Sequence, residues 1–309
     1  MAFPFTGCGT ALMTPFTADG TVDEAALRRF LRWQIAEGVD FLVPGGTTGE
    51  TATLSREEHL RLVAIAVEEA RRGERQVPVL AGAGGNNTRA TAALARDVAA
   101  LGVDGILSAA PYYNKPSQEG LYQHFAAIAA AIQIPLVLYN VPGRTASNIE
   151  PATVARLAGI ANIVGVKEAS GNLNQIMAVL AAVPPSFTVL SGDDALALAV
   201  VALGGRGVIS VASNEIPAQM TELMRLARSG DFTSARRLHF HLLPLLEGNF
   251  LDSNPIPVKA ALAAMGYCRE VYRLPLTPMQ SPRREQFFRI LDALGLLRED
   301  APRASGSRA

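Results

Sequence analysis

"IVGVKEAS", residues 163–170, is the run on which the fold reading turns. Its first half, Ile163, Val164, Gly165 and Val166, is apolar without polar alternation, as expected of a parallel strand covered on both faces. Lys167 then interrupts it, followed directly by Glu168. An ammonium group in such a strand is costly unless it is paired, solvated or neutral. Downstream, Leu173, Ile176, Met177 and Leu180 recur at the spacing of one helical face. The segment is a strand, a turn and a helix.

The same unit repeats along the chain. Its β-type runs are "GCGTALMTPF" (7–16), "FLVPGG" (41–46), "VPVLAGAG" (77–84), "GILSAAP" (105–111), "PLVLYNVP" (135–142), "IVGVKEAS" (163–170), "FTVLSGDD" (187–194) and "GVISVASN" (207–214). Between the second and third, Ser55 and Glu58 form a capping-box pattern ahead of Leu60, Val63, Ala64 and Val67 on one helical face. Eight such units predict an α/β fold, a (β/α)8 TIM barrel, over 1–230. A doubly wound open sheet is the alternative. Beyond 230 the β-type runs stop, and "DFTSARRLHFHLLPLLEGNF", "NPIPVKAALAAMG" and "REQFFRILDALGLL" predict a C-terminal helical extension over 231–297, with 298–309 a disordered tail.

Composition narrows the function classes. The 309 residues are 49% hydrophobic and 18% charged, with 28 basic against 28 acidic side chains and no basic run, which argues against nucleic acid or an anionic membrane as partner. Cys8 and Cys268 stand far apart, outside any CxxC pattern, as in a reducing, cytoplasmic setting. "MAFPFTGCGT" lacks the layout of a signal peptide. The uncharged stretch 120–143 contains Gln123, His124, Gln133 and Pro135, which divide it into a helix and a strand rather than a membrane span.

In such a barrel, chemistry sits at the C-terminal strand ends. There lie "GGTTGET" (45–51), "GAGGNNT" (82–88), "PYYNKP" (111–116), "YNVPGRT" (139–145), Lys167 and "SGDD" (191–194). Lys167 has two readings: a snorkelling side chain paired with a structural carboxylate, or an amine made nucleophilic by burial. Bringing a lysine from its ordinary range to neutrality disfavours the charged form by roughly 4 kcal/mol. Tyr139, on the adjacent strand, is either an acid–base partner or a core tyrosine. "GGTTGE" is either a carboxylate cradle, through backbone N–H groups and the Thr47 and Thr48 hydroxyls, or a plain glycine turn. Arg144 is either a second carboxylate clamp or a surface ion pair. A divalent metal is not expected, because only Asp193 and Asp194 face the rim and one suits a helix cap.

Together, "GTTGE", "PYYNKPSQEGLYQHF", "LYNVPGRT", "GVKEASGN", "LSGDD", "GVISVASN" and "NPIPVK" resemble the pyruvate-dependent class I aldolase (N-acetylneuraminate lyase) family over residues 5–295. Thr47–Thr48, Tyr112–Tyr113 and Arg144 resemble its branch that condenses pyruvate with L-aspartate 4-semialdehyde to 4-hydroxy-tetrahydrodipicolinate, on the diaminopimelate route to lysine. The resemblance implies a Lys167 Schiff base with pyruvate, whose carboxylate Thr47 and Thr48 hold. It makes Tyr139 the acid–base group, in a relay with Thr48 and with a Tyr113 that reaches into a neighbouring subunit. Arg144 would bind the acceptor's carboxylate, and Gly192 and Ile209 would line the pyruvate pocket. It further implies a homotetramer, built as a dimer of dimers, and no metal or organic cofactor, since the lysine serves as electron sink.

Sister aldolases acting on 2-keto-3-deoxy sugar acids or hydroxy-oxoglutarate are the second reading; a non-catalytic barrel is the third. In feedback-inhibited relatives a lysine site occupies a subunit interface. Its positions here are Thr51, Ala52, Arg56, His59, Asn86, Ala90 and Tyr112. Arg56 replaces a histidine and Ala90 a glutamate, so weak or absent lysine inhibition is expected.

Overall fold

A computed structural model describes residues 5–297; the expected tail, 298–309, lies outside the described residues. Eight strands fall inside the eight runs: Gly7–Ala11 (β1), Phe41–Val43 (β2), Leu80–Gly82 (β3), Gly105–Ala109 (β4), Leu136–Asn140 (β5), Ile163–Glu168 (β6), Thr188–Ser191 (β7) and Gly207–Ser210 (β8). The hydrogen-bonded order is β2-β1-β8-β7-β6-β5-β4-β3, and every pairing is parallel. A parallel bridge between Leu42 and Val79 joins the two ends. The Leu42 N–H donates to the Pro78 carbonyl and the Gly82 N–H to that of Pro44, both at 2.9 Å. The sheet is therefore a barrel rather than an open, doubly wound layer.

Around it run Glu24–Ala36 (α1), Arg56–Ala70 (α2), Thr88–Ala99 (α3), Gln118–Ala130 (α4), Pro142–Thr145 (α5), Pro151–Leu157 (α6), Leu173–Ala182 (α7), Ala197–Ala202 (α8) and Pro217–Ser229 (α9). Then follow Phe232–Gly248 (α10), Ile256–Ala264 (α11) and Arg283–Ala293 (α12). Ser55 and Glu58 close the expected capping box on α2. The buried faces differ in detail from the sequence expectation. In α2 the buried apolar residues are Leu62, Val63, Ile65, Ala66 and Ala70, while Leu60, Ala64 and Val67 are half-buried on the flank. In α7 Ile176 and Val179 are buried, whereas Met177 is 42% exposed. A barrel helix rests on the sheet and on neighbouring helices at once, so its buried arc is set by that nest rather than by periodicity alone.

Alternation along each strand sorts side chains between two cores. Phe41, Val43, Leu80, Leu107, Val137, Tyr139, Leu190 and Ile209 fill the barrel, with the Phe5 and Phe41 rings edge-to-face at 5.5 Å. Leu42, Ala81, Ile106, Leu138, Val166 and Val189 face the helices.

The last helices return to the barrel mouth through a buried ion pair. The Lys259 ammonium, on α11, donates to the Glu50 carboxylate of the turn after β2, and both side chains are fully buried. It also donates to the Val271 carbonyl at 3.0 Å and lies 4.2 Å from the Phe16 ring centroid. Burial pulls the Lys259 amine below its ordinary range, and Glu50 opposes that shift. The Arg273 backbone N–H donates to the same carboxylate at 3.3 Å, and its guanidinium donates to the Thr53 carbonyl and to Glu58. Arg273 holds the Glu58 carboxyl down at about 2. Removing one partner of a buried pair leaves an uncompensated charge. Lys259→Ala is expected to lower the unfolding free energy by about 3–5 kcal/mol, read from urea denaturation midpoints.

Candidate active site

The parallel register of β5 and β6 sets Tyr139 beside Lys167, and Asn140 beside Glu168. Tyr139 and Lys167 point into the barrel, where the ammonium lies 4.3 Å from the tyrosine ring centroid. Lys167 is 6% exposed, and among the described residues no carboxylate pairs with it. The snorkelling, ion-paired reading of Lys167 is thereby set aside. Glu168 turns to the helix side, as strand alternation requires.

Thr48 comes from a 3-10 turn, Thr47–Gly49, that continues β2. It is buried, and its hydroxyl accepts from Asn254 Nδ2 at 3.0 Å. Thr47 is exposed at the same mouth. Gly192 follows β7, and a Cβ there would stand 2.9 Å from Lys167 Cε and 2.5 Å from Ala169 Cβ. This position has no side chain because the lysine passes over it. Arg144, at the end of α5, is solvent-exposed, and its Nη2 donates to the Asn254 carbonyl at 3.4 Å.

Thr47, Thr48, Tyr139, Arg144, Lys167 and Gly192 share the wall of one cavity of about 110 Å³. Drug-sized ligands fill pockets of roughly 300 Å³ or more; this one suits a small acid. Two of the expected residues are not on that wall. Ile209 is buried on β8 within the barrel core. Tyr113 is 88% exposed with φ at +73°, and its N–H donates to the Thr145 carbonyl at 3.3 Å.

Among the polar and aromatic wall residues, Phe250 and Asn254 had no role in the sequence reading, and Asp193 was weighed there only as a metal ligand or helix cap. Asn254 opens the "NPIPVK" motif, but its partner Thr48 is 206 positions away, and no local spacing announces the contact. Asp193 caps locally, Oδ1 accepting from the Ala195 N–H at 2.9 Å. Asp194 turns away and accepts from the Val211 and Ala212 N–H groups, both at 2.9 Å; burial raises its carboxyl above the ordinary range. No three His, Cys, Asp or Glu side chains among the described residues are placed to hold a metal.

The expected lysine-site positions lie outside the cavity. Arg56 pairs with Asp97. His59 is buried with Nε2 2.9 Å from the Gly82 carbonyl, and burial lowers its pKa. Asn86 donates to the Tyr112 carbonyl at 3.2 Å; Ala52, Ala90 and Tyr112 are exposed, and the Thr51 hydroxyl donates to the Gly46 carbonyl at 2.9 Å.

Residues 4–294 match the model of the dihydrodipicolinate synthetase family. The chain belongs to that family. It is 57% identical over 293 residues to the 4-hydroxy-tetrahydrodipicolinate synthase of Koribacter versatilis, covering 94% of this chain and 97% of the relative. It is similar to the crystal structure of dihydrodipicolinate synthase from Aquifex aeolicus, with a TM-score of 0.93 and 41% identity over 96% of this chain and 100% of that one. The chloride-inhibited Acinetobacter baumannii enzyme, solved in complex with pyruvate, matches with a TM-score of 0.92 and 41% identity over 94% of this chain and 99% of that one.

Gly192→Ala is expected to abolish pyruvate-dependent labelling of Lys167, because the methyl group and the lysine stem would compete for one space. Its thermal midpoint is expected to fall by a few degrees as well, because the same methyl group would meet Ala169 Cβ at 2.5 Å, with cooperative unfolding retained. A labelling yield equal to the parent's would show that the lysine does not need this gap.

Proposed function

We propose that this chain condenses pyruvate with L-aspartate 4-semialdehyde to give 4-hydroxy-tetrahydrodipicolinate. The observation that carries the reading is the Tyr139–Lys167 register pair opening on a small-acid cavity with Thr48, in a chain of this family. The Lys167 amine adds to the keto carbon of pyruvate, and loss of water gives the imine, with Tyr139 relaying protons. Thr47 and Thr48 hold the carboxylate through their hydroxyls and backbone N–H groups. The imine withdraws electrons from the adjacent methyl group, which loses a proton to become an enamine. No separate electron sink is required, which supports a reaction free of metal and organic cofactors.

The enamine carbon attacks the aldehyde, forming the new C–C bond and a hydroxyl. The acceptor's own amine then displaces Lys167 from the imine, which closes the ring and frees the enzyme. Pyruvate and the semialdehyde thus give the cyclic product and one water. Arg144, at the mouth, suits the acceptor's carboxylate, which a sugar-acid aldehyde does not place there. Tyr113 serves a cavity other than its own, in the neighbouring subunit of a tetramer built as a dimer of dimers; its exposure and its place away from this chain's cavity wall support this role. No helix of the described residues is long and apolar enough to cross a membrane, and we place the enzyme in the cytoplasm, feeding diaminopimelate and lysine synthesis.

Borohydride reduction in the presence of pyruvate is expected to add a three-carbon acid to Lys167, located by peptide mass spectrometry. Turnover is expected with aspartate semialdehyde and not with 2-keto-3-deoxy sugar acids or hydroxy-oxoglutarate. An unmodified Lys167 would sink both aldolase readings at once, and cleavage of sugar acids would favour the sister activity. Inhibition by lysine should be weak or absent, because Ala90 offers no carboxylate to its ammonium and Arg56 adds like charge. A coupled assay with millimolar lysine checks this, and strong inhibition would overturn it.

A further inference from the structure

Immediately behind the reacting pair, on the outer face of the same two strands, lies a buried polar network outside the proposed chemistry. Asn140 and Glu168 are next to Tyr139 and Lys167 in sequence and paired with each other in register. Both are buried, at 0% and 1% exposure. Asn140 Nδ2 donates to Glu168 Oε2 and to Asn148 Oδ1, each at 2.9 Å, while the Ile149 N–H donates to Asn140 Oδ1 at 2.9 Å. The Ser170 N–H donates to Glu168 Oε1 at 2.8 Å. Gln175, from the first turn of α7, donates to Asn148 Oδ1 at 3.0 Å and more weakly to both Glu168 oxygens, and accepts from Asn148 Nδ2 at 2.8 Å. Among the described residues these side chains leave no buried polar atom without a partner.

Such a group is an expensive way to fill the space between a sheet and its helices. A carboxylate with no cationic partner among the described residues is kept where an apolar side chain would pack at lower cost. What it supplies is direction. A slip of β5 against β6, or rotation of either strand, would break several short hydrogen bonds at once, whereas apolar packing tolerates small slides. The network also grips the segment 148–150. Ile149 is bound by Asn140, the Asn148 carbonyl accepts from Gln118 at 2.8 Å, and the Glu150 N–H donates to Gln118 at 3.1 Å. That segment anchors the far end of the loop bearing Arg144.

We infer that Glu168, Asn140 and Asn148 are positioning residues for the reaction. The Asn140–Glu168 bond holds the Tyr139–Lys167 pair in attack geometry from behind, and Asn148 ties the Arg144 loop to the same frame. This rests on the function proposed above.

Swapped hydrogen-bond partners test it. Asn140→Asp alone sets two carboxylates against each other, and Glu168→Gln alone leaves one acceptor oxygen for two donors, the Asn140 amide and the Ser170 N–H, so that one of them faces an NH2 group. Combined, they restore one donor to one acceptor. Each single variant is expected to slow pyruvate-dependent borohydride trapping by about 10- to 100-fold, the scale of a misplacement near 1 Å. Both should retain cooperative thermal unfolding, and the double variant should recover most of the rate. Asn148→Ala, which removes one acceptor of Asn140 but leaves the Asn140–Glu168 bond, is expected to slow trapping less than either single variant and to raise KM for the semialdehyde severalfold, a split that general loosening would not produce.

Folded single variants that trap at the parent rate, or a double variant no better than either single, would overturn the inference. An unchanged aldehyde KM in Asn148→Ala would do the same, and that variant decides alone if the single variants fail to fold. A parent protein that is not trapped would sink the proposed function instead. Crystals of Glu168→Gln would then judge the network, an unmoved Tyr139–Lys167 pair counting against it.

Discussion

The Glu50–Lys259 ion pair ties the two ends of the architecture together, and the cavity depends on it. Glu50 adopts the left-handed conformation at φ +54°, between two short 3-10 turns. For a residue with a side chain that backbone costs on the order of 1–3 kcal/mol, and it persists only where the surroundings impose it. Lys259 and the Arg273 backbone N–H impose it through the carboxylate. Thr48 sits two residues before Glu50, and Asn254 five residues before Lys259. The bond between Thr48 and Asn254 is therefore framed by the salt link beside it.

Much of this was legible in the sequence because it is encoded locally. Eight apolar runs separated by helical stretches specify a parallel β/α fold, and the polar residues ending those runs mark one rim. Lys167 and Tyr139 were readable as neighbours because consecutive strands of a barrel lie side by side. The capping box of Ser55 and Glu58 needed only four residues to be seen.

The remainder is long-range. Glu58 also receives the Arg273 guanidinium, a partner 215 positions away. Glu50 and Lys259 stand in motifs that were visible, "GTTGE" and "NPIPVK", yet nothing in either names the other. The helix faces of α2 and α7 departed from periodicity for a similar reason: burial depends on which helices flank them. Lys167 was an anomaly whose explanation lay in what does not surround it. Only the three-dimensional arrangement supplies the gap at Gly192 and the lack, among the described residues, of a carboxylate partner.

The contact between Thr48 and Asn254 also has a temporal meaning. A ribosome delivers the turn after β2 early and the loop before α11 only when most of the chain has been made. Domains generally fold as units, and this one cannot close its mouth before the last helices are available. During that interval Thr48 lacks its amide partner, Glu50 lacks its counter-charge and the mouth lacks the wall that Phe250 and Asn254 provide. A half-made chain therefore carries Lys167 without the enclosure around it. The order of synthesis thus leaves this mouth to be enclosed last.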